Sequence, residues 1–379
     1  MKVAVLGYGV VGKGVYDMLR TCTDLEAGPV LVRPGKADEA FKVDDIDKII
    51  NDDSVAAVAE VMGGVDVPYA YACKAMKAGK HFVTSNKALV AARGVELKKL
   101  ALENNVGFLF SAACGGAVPF LHNLELARQA DEIESLGGIL NGTTNYMLDR
   151  MQSEGLDYDA ALKEAQELGY AEADPTADVT GLDALRKIML GCAVAYDKLP
   201  TEGLYNEGID SLKASDVAHF QARGLTCRLL AKGGMAADKL YAYVQPVLVG
   251  ADAPECAVKK NFNMAKYMGK CSGQIVLMGQ GAGRYPTASA VLRDLQCLVY
   301  GQRKMFGDGC EYAQADNEGC ICSYYVRVDE AFAHEFELAD PEALDGAVYG
   351  IVENVSVRAM HEKARALRKA GAQIFFAEI

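Results

Sequence analysis

The residue types best suited to chemistry crowd into one stretch, Gly169-Tyr170-Ala171-Glu172-Ala173-Asp174-Pro175-Thr176-Ala177-Asp178-Val179-Thr180-Gly181-Leu182-Asp183-Ala184-Leu185-Arg186-Lys187. Asp174-Pro175 reads as a turn in an acidic loop. Asp178 or Thr180 can cap the helix that follows. Along that helix Leu182, Leu185, Met189 and Cys192 recur on one face and read as core, while Asp183 and Lys187, four apart, share another face. In isolation an Asp–Lys pair at this spacing is a surface ion pair worth under about 1 kcal/mol. With Glu172 just upstream on a glycine-hinged loop, the pair gains a chemical reading: the lysine gives a proton to a developing alkoxide, and the acids hold an amino group. A lysine can play that role if burial or a neighbouring cation lowers its pKa. Lys87, in Ser85-Asn86-Lys87 after the fourth predicted strand, supplies such a second cation.

Two other side-chain types offer alternatives. Cys114, in Ala112-Ala113-Cys114-Gly115-Gly116, can be read as the nucleophile of an acylating aldehyde dehydrogenase, although its small apolar neighbours suit a buried, inert thiol better. The histidines, His81, His122, His219, His334 and His361, are dispersed and form no triad or zinc motif, so each reads as structural or surface. Cys310, Cys320 and Cys322 cluster without completing a familiar zinc ligand set.

The lysines and acids need a partner that moves electrons, and the N-terminus provides for one. Gly7-Tyr8-Gly9-Val10-Val11-Gly12 follows an apolar strand and opens a helix. Gly7 permits the tight turn, Gly9 lets backbone approach a pyrophosphate, and Gly12 lets helix and strand pack closely. The N–H groups of Val10 and Val11 open the helix, where free donors and the positive dipole end favour phosphate. The order strand, glycine loop, helix predicts dinucleotide binding. At the tip of the next strand an acid would favour NAD. The sequence has Val30-Leu31-Val32-Arg33-Pro34 instead, so Arg33, with Lys36 as helper, is the candidate reader of a 2′-phosphate, and NADP is favoured over NAD. A non-enzymatic NADP-binding sensor would share this loop but would not need Glu172, Asp183, Lys87 and Lys187 together.

Positioning these groups requires an α/β chain. Val3–Leu6, Val30–Val32, Ala56–Val61, His81–Thr84 and Gly107–Phe110 read as strands, alternating with helices at Val10–Arg20, Asp44–Asn51, Pro68–Ala78 and Gly94–Glu103. This predicts a Rossmann-type parallel sheet over residues 1–130, completed by about 285–320, where Thr287–Gln302 reads as a returning helix. Residues 131–284 read as a second, α+β domain, with strands at Ile133–Leu140, Leu240–Val249 and Gln274–Met278. Residues 321–379 read as a separate short α+β tail, with strands at Ser323–Val328, Ala347–Val352 and Ala372–Ala377 and one helix, Val357–Ala370. Such a tail is expected to support stability more than activity.

Composition narrows the class. The 379 residues are 24% charged with a net charge of −12, which argues against a general nucleic-acid or anionic-membrane binder. No apolar run approaches the roughly 18–20 residues that span a bilayer. Met1-Lys2 leads at once into the first strand, with no secretory signal expected. Eleven scattered cysteines suit a reducing cytoplasm.

Several separated motifs together resemble the homoserine dehydrogenase family. They are the run Ala165–Lys187; Asn141-Gly142-Thr143-Thr144-Asn145-Tyr146, similar to that family's interdomain hinge; and Gly279-Gln280-Gly281-Ala282-Gly283 with Pro286–Val291, similar to its returning glycine loop and helix. Glu60-Val61-Met62-Gly63-Gly64 and Ser85-Asn86-Lys87 resemble its cofactor-domain motifs. The resemblance covers about residues 1–328. It implies NAD(P)-dependent interconversion of L-homoserine and L-aspartate 4-semialdehyde in threonine, methionine and isoleucine biosynthesis, by a cytoplasmic homodimer. It also implies that the domain 131–284 binds substrate and forms the dimer. Lys187 and Lys87 would be catalytic. Glu172, Asp183 and Gly169 would bind substrate, and Gly63, Gly64, Ser85 and Gly283 would join Gly7, Gly9, Val10, Val11, Gly12, Arg33 and Lys87 around the cofactor. Two departures stand out. Ser111 occupies the place of a glutamate associated with a monovalent-cation site, leaving only the backbone carbonyls of Cys114, Gly116 and Val118 as candidate sodium ligands. The tail is short for the ACT-type regulatory module of many relatives, and it reads as a degenerate ACT-like unit.

Overall fold

The computed structural model describes residues 1–379. Six parallel strands make the first sheet: β1 (Lys2–Leu6), β2 (Glu26–Leu31), β3 (Lys42–Val43), β4 (Val55–Glu60), β5 (His81–Thr84) and β6 (Phe108–Leu109). Their order is β3-β2-β1-β4-β5-β6. That is the doubly wound order, in which the connections reverse between β1 and β4 and leave a crevice at the carboxyl ends of those strands. Val3 to Leu6 are fully buried, as an inner strand covered by helices on both faces must be. The helix Arg284–Val299 returns to this domain and lies on the helix Val10–Leu19. A side chain at Gly14 would meet the Arg284 carbonyl at 2.8 Å, so glycine sets how near the two helices lie.

The other strands are β7 (Ile133–Ile139), β8 (Lys198–Glu202), β9 (Tyr205–Asn206), β10 (Leu225–Ala236), β11 (Lys239–Gly250), β12 (Phe262–Gly269) and β13 (Gly273–Gln280). They are followed by β14 (Glu311–Gln314), β15 (Ile321–Asp329), β16 (Ala339–Leu344), β17 (Ala347–Ser356) and β18 (Ile374–Glu378). β8 and β14 pair with each other. The remainder form one sheet in the order β13-β12-β7-β10-β11-β18-β15-β17-β16, with β9 on β11. The helix Leu182–Tyr196 packs across β7, β10 and β11. A side chain at Gly233 in β10 would press on Cys192 Sγ at 2.7 Å, so glycine there lets the helix dock closely.

The tail does not stand apart as expected. Its strands extend the second sheet, with β18 meeting β11 at Val247 and Glu378. The connectivity β15, 3₁₀ turn, β16, β17, helix Val357–Lys369, β18, with β15 and β17 central, is a split β-α-β unit whose first helix has shrunk to the 3₁₀ segment Glu330–Glu335. Its attachment to the body is buried. Arg327 Nε donates to Asp216 Oδ1 at 2.7 Å with both side chains out of solvent. Gln245, wholly buried in β11, donates to Glu378 at 2.9 Å and bonds His361 Nε2 at 2.9 Å.

Candidate active site

Lys187 lies on the helix Leu182–Tyr196, and Lys87 opens the helix Lys87–Glu103 immediately after β5. The fold brings them from different domains onto one carboxylate. Lys187 Nζ is 2.8 Å from Asp183 Oδ2, and Lys87 Nζ is 2.9 Å from Asp183 Oδ1. Lys187 also donates to the Leu140 carbonyl at 2.5 Å. Asp183 and Lys187 are 6% and 7% exposed, so this pair is not the surface ion pair that its spacing alone describes. Lys87 keeps 35% of its side chain in solvent and forms the open side of the cluster.

Burial works against charge on both buried partners, and their mutual attraction outweighs it. Desolvation raises the Asp183 carboxyl, but Lys187, Lys87 and the hydrogen bonds from Lys187 and Asn141 hold it well below the carboxylate range. Desolvation lowers the Lys187 ammonium, but Asp183 raises it above the ordinary lysine value. The condition of a lowered lysine is therefore not met: the neighbouring carboxylate outweighs burial, and Lys187 stands as an ammonium. Burial raises the nearby Asp178, with Asp183 adding repulsion.

Asn141 was visible in the sequence only as part of a hinge motif, and its position makes it central here. Its Nδ2 donates to Asp178 Oδ1 at 2.7 Å and to Asp183 Oδ2 at 2.9 Å, while its Oδ1 caps the helix Gly142–Glu154 by accepting from Thr144 N. The Asn-x-x-Thr spacing signals the cap. The two carboxylates it gathers lie about forty residues on in sequence, beyond any local pattern. The Leu140 carbonyl likewise has no sequence signal.

Glu172 and Gly169 are exposed on the loop that leads towards the helix Leu182–Tyr196. No hydrogen bond reaches the Glu172 carboxylate; the loop is held by Thr143 Oγ1 donating to the Tyr170 carbonyl at 2.6 Å and Gln166 Nε2 to the Glu172 carbonyl at 3.1 Å. Cys114 is buried beneath the cluster, its thiol pushed up to about 12 by desolvation, which suits an inert thiol and not an acylating nucleophile.

The glycine loop fits a dinucleotide. Gly7 adopts φ +101°, and a side chain at Gly12 would strike the Gly7 carbonyl. Beside Gly9 there is open space, and Val10 at the helix start is exposed, with Val11 next to it. Gly63 and Gly64, just past β4, border the same crevice with nothing facing them. Gly283 at φ +121° starts the returning helix. Ser85 and Asn86 follow β5, and Asn86 Nδ2 donates to the Gly64 carbonyl at 2.7 Å. Arg33 lies exposed two residues beyond β2, whose last carbonyl, on Leu31, accepts from Gly7 N at 3.1 Å.

A sodium cage is not completed by these residues. Gly115 and Gly116 do turn the Cys114–Val118 backbone through positive φ. However, the Val118 carbonyl already accepts from Phe120 N, and Ser111 brings no charge. The one acid beside Ser111, Asp294, is spent on Ser111 N at 2.8 Å, Ser111 Oγ at 2.5 Å and His122 Nε2 at 2.8 Å.

Known proteins resemble this chain in sequence and fold. The family profile described as the homoserine dehydrogenase NAD-binding domain matches residues 7–111, and the one described as homoserine dehydrogenase matches residues 119–296. The chain is 40% identical to the homoserine dehydrogenase of Corynebacterium glutamicum over 77% of its own length and 70% of that protein's. It is 37% identical to that of Synechocystis over 79% and 73%. The crystal structure of a homoserine dehydrogenase from Thiobacillus denitrificans superposes with a TM-score of 0.86 at 27% identity, covering 100% of this chain and 97% of that one. With a dinucleotide cradle facing a two-lysine, one-carboxylate cluster, the chain belongs to the homoserine dehydrogenase family, NAD(P)-dependent oxidoreductases that interconvert L-homoserine and L-aspartate 4-semialdehyde.

Proposed function

We propose that Lys187 gives and takes the proton on the reacting oxygen, that Asp183 holds it as an ammonium, and that Lys87 connects the cluster to solvent. The observation that carries this reading is the single buried carboxylate bridging both lysines at 2.8 and 2.9 Å. A bound reduced dinucleotide supplies the hydride. As the aldehyde oxygen gains charge, Lys187 Nζ–H donates to it, and the resulting amine recovers its proton through Lys87 and water. In the oxidation of homoserine the neutral amine takes the hydroxyl proton. Glu172, free of protein partners, receives the substrate's amino group at the mouth of the site, with Asp183 behind it and Gly169 letting the loop turn. NADP is favoured over NAD because Arg33 stands unpaired where an acid would read the ribose.

A homodimer completes the reading. On β13 the exposed residues include Val276 and Met278, an apolar strip on a sheet edge that a second copy would cover. Eleven unpaired thiols suit a reducing cytoplasm. The test is Lys187→Met: turnover should fall by roughly 10²–10⁴-fold while NADPH binding, followed by fluorescence, is unchanged, and a variant within about threefold of wild type would overturn the assignment.

A further inference from the structure

The turn Val179–Gly181 joins Asp178 to the helix that carries Asp183 and Lys187, so its position sets theirs. One segment from elsewhere in the chain is moulded against it. Ile209 N donates to the Val179 carbonyl at 2.8 Å, and Asn206 Nδ2 donates to the Thr180 carbonyl at 2.7 Å. Gly208 lies so close that a side chain there would run into the Val179 carbonyl and the Thr180 backbone. Gly181, at φ +81°, faces the Glu207 carbonyl and Val244.

Segment 205–209 is held in turn by the tail. Arg368, on the helix Val357–Lys369, donates Nη1 to Glu207 Oε2 at 2.9 Å and Nη2 to Glu207 Oε1 at 2.6 Å. The Glu207 side chain is 6% exposed, and Arg368 Nη2 also reaches the Ile374 carbonyl at 3.1 Å. Tyr205 OH donates to Glu362 on the same helix at 2.9 Å. A two-pronged arginine–carboxylate pair fixes direction as well as distance.

We propose that the Glu207–Arg368 pair is a positioning clamp, through which the C-terminal unit sets the placement of Asp183 and Lys187 for the reaction. Neither residue touches the lysine cluster. They act through the backbone of residues 206–209 and 179–181. This rests on the reading of Lys187 as the proton donor, so the experiment keeps the two claims apart.

Arg368→Ala, Arg368→Lys and Glu207→Gln are compared with Asp216→Asn, which breaks the buried Arg327–Asp216 pair. That pair also ties the tail to the body but has no contact with the turn. For each, kcat, KM for homoserine, the pH profile of oxidation and the melting temperature are measured, with Lys187→Met as reference. The groups facing Lys187 are Asp183, Asp178, Lys87 and Cys114, and all of them are unchanged in these variants. Arg368→Ala should lose roughly ten- to hundredfold in kcat and move the acid limb of the profile, because small displacements of reacting groups cost rate steeply. Arg368→Lys should recover part of the loss, and Asp216→Asn should lower the melting temperature while leaving kcat and the profile in place. Should Arg368→Ala fail to fold, the near-isosteric Glu207→Gln carries the same expectation. Wild-type kcat and profile in the Arg368 and Glu207 variants, with Lys187→Met inactive, would overturn the clamp alone. Equal kcat losses in Asp216→Asn would also overturn it, and an active Lys187→Met would overturn the reading beneath it.

Discussion

The substitution Asp183→Asn keeps shape and removes the charge on which both lysines rest. In the wild type the carboxylate sits within 2.9 Å of two ammonium groups and is 6% exposed. Removing one member of a buried ion pair costs about 3–5 kcal/mol if the other stays charged. Lys187 can avoid most of that cost by releasing its proton, at about 1.4 kcal/mol for each unit of pKa. A loss of about 3 kcal/mol in attraction therefore lowers the Lys187 pKa by about two units. The signs in the two directions are opposite. Homoserine oxidation needs the neutral amine, so wild-type oxidation climbs into the alkaline range and the limb of the Asp183→Asn variant moves about two units to lower pH. Aldehyde reduction needs the ammonium, so the variant's reductive rate falls off at lower pH than the wild type's. The assay is initial rates in both directions from neutral to strongly alkaline pH, followed by absorbance of the reduced cofactor. Oxidative and reductive limbs that stay together at their wild-type positions would refute the claim that Asp183 sets the protonation of Lys187.

Three further outcomes follow from other parts of the structure. Arg33→Ala should weaken NADP binding roughly ten- to hundredfold and leave NAD binding nearly unchanged, and equal effects on the two in titrations would count against 2′-phosphate reading. Glu60, wholly buried at the end of β4, is raised to about 7 by desolvation despite hydrogen bonds from Thr84 and Met62. Its contribution to stability is thus complete below the ordinary carboxylate range and is lost as pH rises through about 7. Glu60→Gln should remove that decline, so melting temperatures of variant and wild type should diverge in the variant's favour between mildly acidic and mildly alkaline pH, and parallel curves would show that the group does not titrate there. Deleting residues from 330 onward should yield a chain without a cooperative melting transition, because the buried Glu207 and Gln245 would lose their partners and β15 both of its neighbours in the sheet. A truncated protein that melts sharply would show that the tail is dispensable to the fold.

How much of this could be read from the chain depends on the range of the physics involved. The glycine loop was legible because its requirements are local: a turn at Gly7, a helix start at Val10 and a close approach at Gly12 all fall within six residues. The Asp183–Lys187 face was legible from helical spacing. Its burial was not, since spacing is the same for a solvated pair and for one enclosed beneath Leu140 and Asn141. The direction of the Lys187 shift went unread for the same reason: it depends on how closely Asp183 approaches, which only the packed helix decides. β10 and β12 were missed because Arg228, Gly233, Gly234 and Lys266 interrupt their alternation, and β16 because Ala339–Leu344 is exposed throughout and contains Pro341 on a sheet edge.

The tail shows most plainly what local patterns omit. Its three legible strands and one helix suggested an appendage, since nothing in a strand's own sequence says which neighbour it will pair with. In the fold, β18 lies against β11, and Arg327, Arg368 and Gln373 meet Asp216, Glu207 and Lys213 of the body. A helix whose basic end carries no sequence signal of a partner thus supplies, through Arg368, the counter-charge of a buried acid next to the backbone that cradles the turn Val179–Gly181. A lone buried glutamate would cost several kcal/mol unless paired. Retaining Glu207 in the body therefore demands the tail, and the tail in turn gains a rigid route to Asp183 and Lys187.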